Sequence, residues 1–166
     1  MKRYYFLILL GLVLLAGCGP SPKQASEYNN KLIKEQKNAV DKLDNLIASL
    51  NTFDPQQMNA AYKEAVDQLD KSIANLEKIE AFDGSTAYRD TTIYLLKIYK
   101  DVVVNDFSKV IEKLSKPDDQ YTPQDQAAVS SQLVEIQEKL TTANKNYKKY
   151  QEEFAKKYKL QLSQTE

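Results

Sequence analysis

Several residue types that enzymes and metal sites depend on are missing or scarce in this chain. It contains no histidine and no tryptophan, and Cys18 is its only cysteine. Without histidine most catalytic triads cannot be assembled, and the Glu-x-x-His pairs of helical metal sites are excluded. Zinc sites also depend on histidine and cysteine. We therefore expect no catalytic residue, no metal site, no cofactor and no internal disulfide.

Glycine and proline are confined to a few positions after residue 18. Glycine occurs at 19 and 84, and proline at 20, 22, 55, 117 and 123. Because glycine costs a helix interior about 1 kcal/mol and proline about 3 kcal/mol, the long stretches without them favour helices. The predicted helices cover residues 23–52, 55–82, 85–116 and 123–160.

Apolar residues recur at helical spacing in each of these stretches. In the last one they alternate steps of four and three from Val129 to Phe154, which is a heptad pattern. Such a stripe needs a partner, either in a long coiled coil or in a neighbouring helix of the same chain. The short connections at 52–54, 83–84 and 117–122 favour the second arrangement. The sequence predicts an all-α protein, an up-down-up-down antiparallel four-helix bundle over residues 27–160, with a C-terminal tail at 161–166.

Charge is balanced, with 23 basic and 23 acidic residues. This balance indicates no nucleic-acid partner. The acidic residues fall mainly on outward helix faces, some of them four residues before a lysine, as Glu135 precedes Lys139. A solvated surface accounts for this pattern.

The N-terminal residues have the pattern of an export signal. Lys2 and Arg3 precede an apolar run from about residue 4 to residue 15, which is too short for a transmembrane helix. The run ends in Leu15-Ala16-Gly17-Cys18, which resembles the lipobox of bacterial lipoproteins. That resemblance implies a cleaved signal peptide at 1–17, a lipid such as palmitate on the sulfur of Cys18, and a lipidated tether at 18–26. The alternative is an N-terminal anchor that is not cleaved.

The residues after Cys18 bear on the membrane that carries the anchor. Gly19-Pro20-Ser21-Pro22 lacks the aspartate that resembles an inner-membrane retention signal in enterobacteria. It also lacks the acidic cluster that resembles a surface-export tag in Bacteroidetes. We therefore expect a lipid-anchored protein of the bacterial outer membrane that faces the periplasm, with the cell surface as the alternative.

Most aromatic residues are expected at the tethered end of the bundle. The tentative ligand-binding residues there are Tyr88, Arg89, Tyr99, Tyr147 and Tyr150. Tyrosine hydroxyls can orient a ligand in an apolar cleft, although ordinary core packing explains the same positions. The last two turns of the fourth helix, from about 153 to 160, are expected to extend past this end.

Further stretches carry a resemblance to a protein family. They are Tyr28-Asn29-Asn30-Lys31 with Glu35-Gln36, the turn Phe82-Asp83-Gly84 before residues 95–100, and Phe154-Ala155-Lys156-Lys157-Tyr158. In these residues the chain resembles the helical surface lipoproteins of the leptospiral type, which also occur in Bacteroidetes. The resemblance implies one helical bundle after a lipidated cysteine, and it implies no particular biochemical activity.

These observations together predict a non-catalytic protein rather than an enzyme. We expect a membrane-anchored lipoprotein that binds or organises envelope components through a helical surface or through its aromatic-rich base. Its expected partners are the membrane, through the N-terminal lipid, and an envelope protein or a small apolar ligand. The alternative is an enzyme that uses carboxylates or tyrosine hydroxyls at the base.

Overall fold

A computed structural model describes residues 19–161 of the chain. The predicted signal peptide at 1–17, the lipid attachment at Cys18 and nearly all of the tail at 161–166 lie outside these residues. The described part is all-helical and forms four helices, the third of which contains a π-helical segment. They are α1 (Pro22–Leu50), α2 (Pro55–Glu77), the third helix composed of α3 (Ala87–Asp101), a π segment (Val102–Phe107) and α4 (Ser108–Leu114), and α5 (Pro123–Tyr158). None of the described helices is both long and apolar enough to cross a membrane.

Two of the helices begin at the predicted residues, 55 and 123, and each follows a capping side chain. The Asp54 carboxylate accepts hydrogen bonds from the backbone N–H groups of Gln56 and Gln57, and Pro55 occupies the first helical position. Thr122 forms a capping box with Asp125 at the start of α5. These contacts satisfy N–H groups that have no partner inside the helix.

Helix α1 begins earlier than expected. Ser21 and Gln24 form a capping box, and Pro22 is the first helical residue. The sequence assigns residues 23–26 both to the predicted helix 23–52 and to the tether. They are helical, and α1 begins one residue before the predicted start at 23. The extended part of the tether within the described residues is limited to 19–21.

Helix α2 ends at Glu77, five residues before the predicted end at 82. The chain then turns through Asp83 and Gly84, which both have positive φ, and Phe82 pairs with Ser85 through two backbone hydrogen bonds. Glycine adopts this left-handed conformation without the steric cost of a side chain. The connection 78–86 is thus a nine-residue loop rather than a two-residue turn.

The π segment interrupts the third helix and was not predicted. It contains Asp106, whose side chain is only 6% exposed, and both Val103 and Phe107 are buried there. Lys139 of α5 contacts the Asp106 carboxylate at 2.6 Å, and Gln132 donates a hydrogen bond to it at 3.2 Å. The wider turn therefore keeps two apolar residues in the core while an acidic residue faces α5.

The core is one continuous cluster of apolar side chains from all four helices. Helix α1 packs on α2, α2 packs on the third helix, and the third helix packs on α5. The start of α1, the loop 78–86 and the end of α5 meet at one end of the bundle, which we call the base. The opposite end, which holds Phe53 and Tyr121, is the distal end.

Candidate functional site

Aromatic rings fill the base of the bundle. Phe154 lies at the centre, with its ring centroid 4.7 Å from that of Tyr88 and 4.7 Å from that of Tyr158. Tyr28 of α1 stacks on Phe82 of the loop at 4.8 Å. Offset and tilted aromatic pairs at these distances are favourable beyond their buried area. These rings therefore join α1, loop 78–86, α3 and α5 at the end of the bundle where α1 begins.

The last turns of α5 close over this aromatic base. The Tyr158 hydroxyl donates to the Asp83 carboxylate at 2.6 Å, and the Lys157 ammonium contacts the same carboxylate at 3.0 Å. Both contacts lower the pKa of Asp83. The expectation that residues 153–160 extend past the base was wrong, because loop 78–86 continues beyond the end of α2 and gives these turns a surface to pack on.

A groove lies between α3 and α5, just above the aromatic base. Its volume is about 300 Å³, at the small end of the range for ligand pockets. Leu95, Ile98 and Ala143 give it an apolar floor. The remaining lining residues are polar or aromatic, namely Asp90, Thr91, Tyr94, Asn146, Tyr147 and Tyr150.

Two tyrosine rings at the groove are open to solvent. Tyr94 is 66% exposed and Tyr150 is 46% exposed. They belong to different helices, α3 and α5, so each helix contributes one exposed ring. The groove thus offers aromatic surface to a molecule in solution.

The one carboxylate of the groove is already paired. The Arg89 guanidinium contacts Asp90 at 2.8 Å and also donates to the backbone carbonyl of Ile79. The side chains of Thr86 and Arg89 lower the pKa of Asp90. The groove is therefore close to neutral in charge.

A second cavity of about 180 Å³ lies below the groove, against the aromatic base. Tyr150 lines both cavities, and the second is completed by Tyr28, Tyr88 and Glu153 among others. A continuous surface therefore runs from the groove past Tyr150 to the base.

The tentative ligand-binding residues fall into three environments. Tyr147 and Tyr150 line the groove. Tyr88 and Tyr99 are buried, with their hydroxyls donating to Asn29 and Asn144 respectively. Arg89 contacts its α3 neighbour Asp90 and the backbone carbonyl of Ile79 in loop 78–86, outside the groove. The structure thus brings two of the five residues together there, while Tyr88 contributes to the second cavity.

Burial changes the pKa values of the tyrosines that pack inside the bundle. It raises the pKa of Tyr88 and Tyr147, and it raises the pKa of Tyr99 to about 12. The hydroxyl of Tyr147 has no hydrogen-bond partner among the described residues. These tyrosine hydroxyls therefore stay protonated at neutral pH.

Sequence reasoning did not select Tyr94 or Asn146 as site residues. The available signal was the pairing of α3 with α5, which brings the residues around 94 next to those around 147. Both residues lie outside the apolar stripe of their helix, so the spacing of apolar residues does not indicate them.

Known proteins give no further guide to the site. Within residues 19–161 no group of three acidic, cysteine or histidine side chains is arranged to hold a metal ion. No family model, no curated protein and no solved structure matches the chain.

Proposed function

We propose that the protein is a lipid-anchored lipoprotein of the bacterial envelope, related in kind to the helical surface lipoproteins that it resembles. Its role is to bind a small ligand with an apolar face, without catalysis, in the groove between α3 and α5. The observation that carries the proposal is the location of this groove. It lies at the basal half of the bundle, the half from which the proposed anchor leaves.

The proposal includes an up-down-up-down course for the four helices. Contacts between neighbouring helices support opposite directions, because residue numbers rise along one helix as they fall along the next. For α1 and α2 these contacts are Glu35 with Asn75 and Lys42 with Glu64. The third helix and α5 follow the same rule, with Tyr99 bonded to Asn144 and Asp106 to Lys139.

The distance between anchor and base is short in this arrangement. Pro22, where α1 begins, is the fourth residue after Cys18, and a fully extended chain covers about 14 Å over these four steps. A lipid on Cys18 would therefore keep the base near the membrane. The sequence after Cys18 favours the periplasmic face of the outer membrane, and two or three acyl chains would make the attachment almost permanent.

Binding without catalysis agrees with the state of the polar groups near the groove. Asp90 is paired with Arg89, and burial raises the pKa values of Tyr88 and Tyr147. An acid or base for proton transfer needs a pKa near the working pH. The groove instead combines an apolar floor with a few orienting polar groups, as binding sites do.

The anchor is tested with Cys18→Ser. In a Gram-negative host fed an alkyne fatty acid, we expect the unchanged protein to carry the label and to fractionate with the outer membrane. The serine variant should lose both properties, because it has no thiol to acylate. An unlabelled wild-type chain with an intact leader would contradict the proposed anchor.

The site is tested by photo-crosslinking in the native envelope. A photoreactive phenylalanine analogue replaces Tyr150 in one variant and Phe53, at the distal end, in a matched control. We expect one defined small molecule on the first variant, identified by mass spectrometry, and none on the second. Equal labelling of both positions would mean that the groove has no special role.

A further inference from the structure

The chemistry of the groove narrows the class of its ligand. We infer that it binds a neutral oligosaccharide, with sugar rings stacked on Tyr94 and Tyr150. The inference rests on the proposed binding role and specifies the ligand of that same groove.

The two exposed tyrosines supply the stacking surface. Tyr94 and Tyr150 rise from different helices on the same groove, and both rings are open to solvent. An aromatic face carries partial negative charge, and it attracts groups whose hydrogens are partly positive. The C–H faces of a pyranose ring have this character and are flat enough to cover a tyrosine.

The polar rim fits a ligand that is rich in hydroxyl groups. Asn146 is exposed, makes no side-chain hydrogen bond within the described residues, and offers both a donor and an acceptor. The Thr91 hydroxyl donates to the carbonyl of Ala87, so its lone pairs are left to accept a hydrogen bond. The hydroxyls of Tyr94 and Tyr150 add two more groups that can donate or accept.

The charge of the groove argues against a quaternary ammonium ligand. Aromatic cages for such cations gain most when the site is also anionic. Here the single carboxylate, Asp90, already contacts Arg89 at 2.8 Å. A neutral ligand matches this environment better than a cation does.

The shape of the groove argues against a fatty acyl chain. An acyl chain gains affinity by leaving water along its whole length. This groove is open, and Tyr94 and Tyr150 on its walls are 66% and 46% exposed. A stacked sugar needs only one face covered and keeps its hydroxyl edge in water.

The second cavity indicates more than one sugar ring. It holds about 180 Å³, against about 300 Å³ in the groove, and Tyr150 lines both. One ring on each side of Tyr150 would occupy both cavities. This arrangement favours an oligosaccharide over a single sugar.

The test is isothermal titration calorimetry of the full chain, which is expressed with its native N-terminal sequence and reconstituted in lipid nanodiscs. The probes are trisaccharides of N-acetylglucosamine, glucose and mannose at millimolar concentration, with choline and oleate as the competing ligand classes. We expect at least one trisaccharide to bind. Removal of either ring in Tyr94→Ala or Tyr150→Ala should weaken binding about tenfold, which corresponds to about 1.4 kcal/mol.

Matched variants separate stacking from other effects. Tyr94→Phe and Tyr150→Phe keep the rings and should stay within about threefold of the unchanged protein. Phe53→Ala removes an exposed ring at the distal end and should have no effect. Circular dichroism checks that each variant remains folded, which is expected because the altered rings are exposed.

Different results would contradict the oligosaccharide ligand and the binding role of the groove. Binding of choline or oleate that depends on Tyr150, with no trisaccharide bound, would overturn the oligosaccharide and leave the binding role standing. No binding of any probe to the folded protein would overturn both. Trisaccharide binding that is unchanged in both alanine variants would show that the sugar binds elsewhere, and would also overturn the inference.

Discussion

The buried carboxylate of the π segment gives the sharpest test of the energetics of this bundle. Asp106 is almost fully buried, and its partner Lys139 is about half exposed, with 2.6 Å between carboxylate and ammonium. Lys139→Met removes the cation and leaves the acid in place. The carboxylate then keeps only the hydrogen bond from Gln132.

The size of the effect follows from the burial of the two groups. Breaking a fully buried pair costs about 3–5 kcal/mol, whereas an exposed pair contributes about 0–1 kcal/mol. Because Lys139 is half in water and Gln132 remains, we expect a loss of about 1–3 kcal/mol in the free energy of unfolding. In a chain of this length that corresponds to a decrease in Tm of roughly 2–12 °C.

The assay is urea unfolding of the full chain in mild detergent, followed by circular dichroism at 222 nm. Lys42→Met is the matched control, because Lys42 lies 2.7 Å from Glu64 but both groups are exposed. It should lose no more than about 1 kcal/mol. Adding Asp106→Asn to Lys139→Met should recover part of the loss, since it removes the unpaired charge.

Two results would refute this reasoning. If Lys139→Met and Lys42→Met lower the free energy of unfolding equally, burial of the Asp106 carboxylate has no energetic consequence. The other result compares the double variant with Lys139→Met. If its free energy of unfolding is lower by the same amount that Asp106→Asn removes on its own, the two side chains do not interact.

Three further predictions concern pH and the backbone. Because burial raises the pKa of Tyr88, Tyr99 and Tyr147, the folded protein keeps protons that the unfolded chain loses. The contribution of these tyrosines to stability is therefore constant below about pH 10 and falls above it by up to about 1.4 kcal/mol per pH unit for each tyrosine. Absorbance at 295 nm should show these tyrosines ionising only together with the loss of helix, and ionisation of all tyrosines near pH 10 with intact helices would contradict the burial. The hydrogen bond from Lys116, with those of the Thr122 cap, lowers the pKa of Asp125, so its contribution to stability is complete above about pH 4 and is lost as the carboxylate protonates in acid. Thermal melts at pH 7 and pH 3 should therefore differ less in Asp125→Asn than in the unchanged protein, and an equal difference would exclude this contribution. Gly84→Ala places a side chain at φ +70° and should cost about 1 kcal/mol in urea unfolding, whereas Gly19→Ala, at an open position with ordinary φ, should cost almost nothing; equal effects would show that the turn tolerates the change.

Local chemistry explains which parts of the fold could be predicted from the sequence. The starts of α2 and α5 depend on neighbouring residues, a capping side chain followed by proline, and both were predicted to the residue. The early end of α2 has no such local signal, and the chain just beyond it is held by a distant residue, since Arg89 donates a hydrogen bond to the carbonyl of Ile79. No glycine or proline marks that point.

The π segment and the groove were missed for a related reason. The apolar residues Tyr99, Val103 and Phe107 are separated by steps of four, which a slightly irregular α-helix also accommodates. The contacts of this segment with α5, from Gln132 and Lys139 to Asp106, cannot be read from that spacing. The groove likewise depends on which exposed residues of α3 and α5 become neighbours, so that Tyr150 could be predicted as a candidate while Tyr94 could not.

The contacts of Asp83 with Lys157 and Tyr158 at the end of α5 limit where a label can be attached to this protein. A bulky fusion directly after Lys159 would fray the final turn and uncover the stacked rings beneath it, so fluorescent proteins or purification tags there call for a long spacer. The solvent-exposed stretch 117–120, at the far end of the bundle, is the better insertion point. Under the proposed anchoring, an epitope placed there would lie at the end of the bundle away from the membrane, where an antibody has room to reach it.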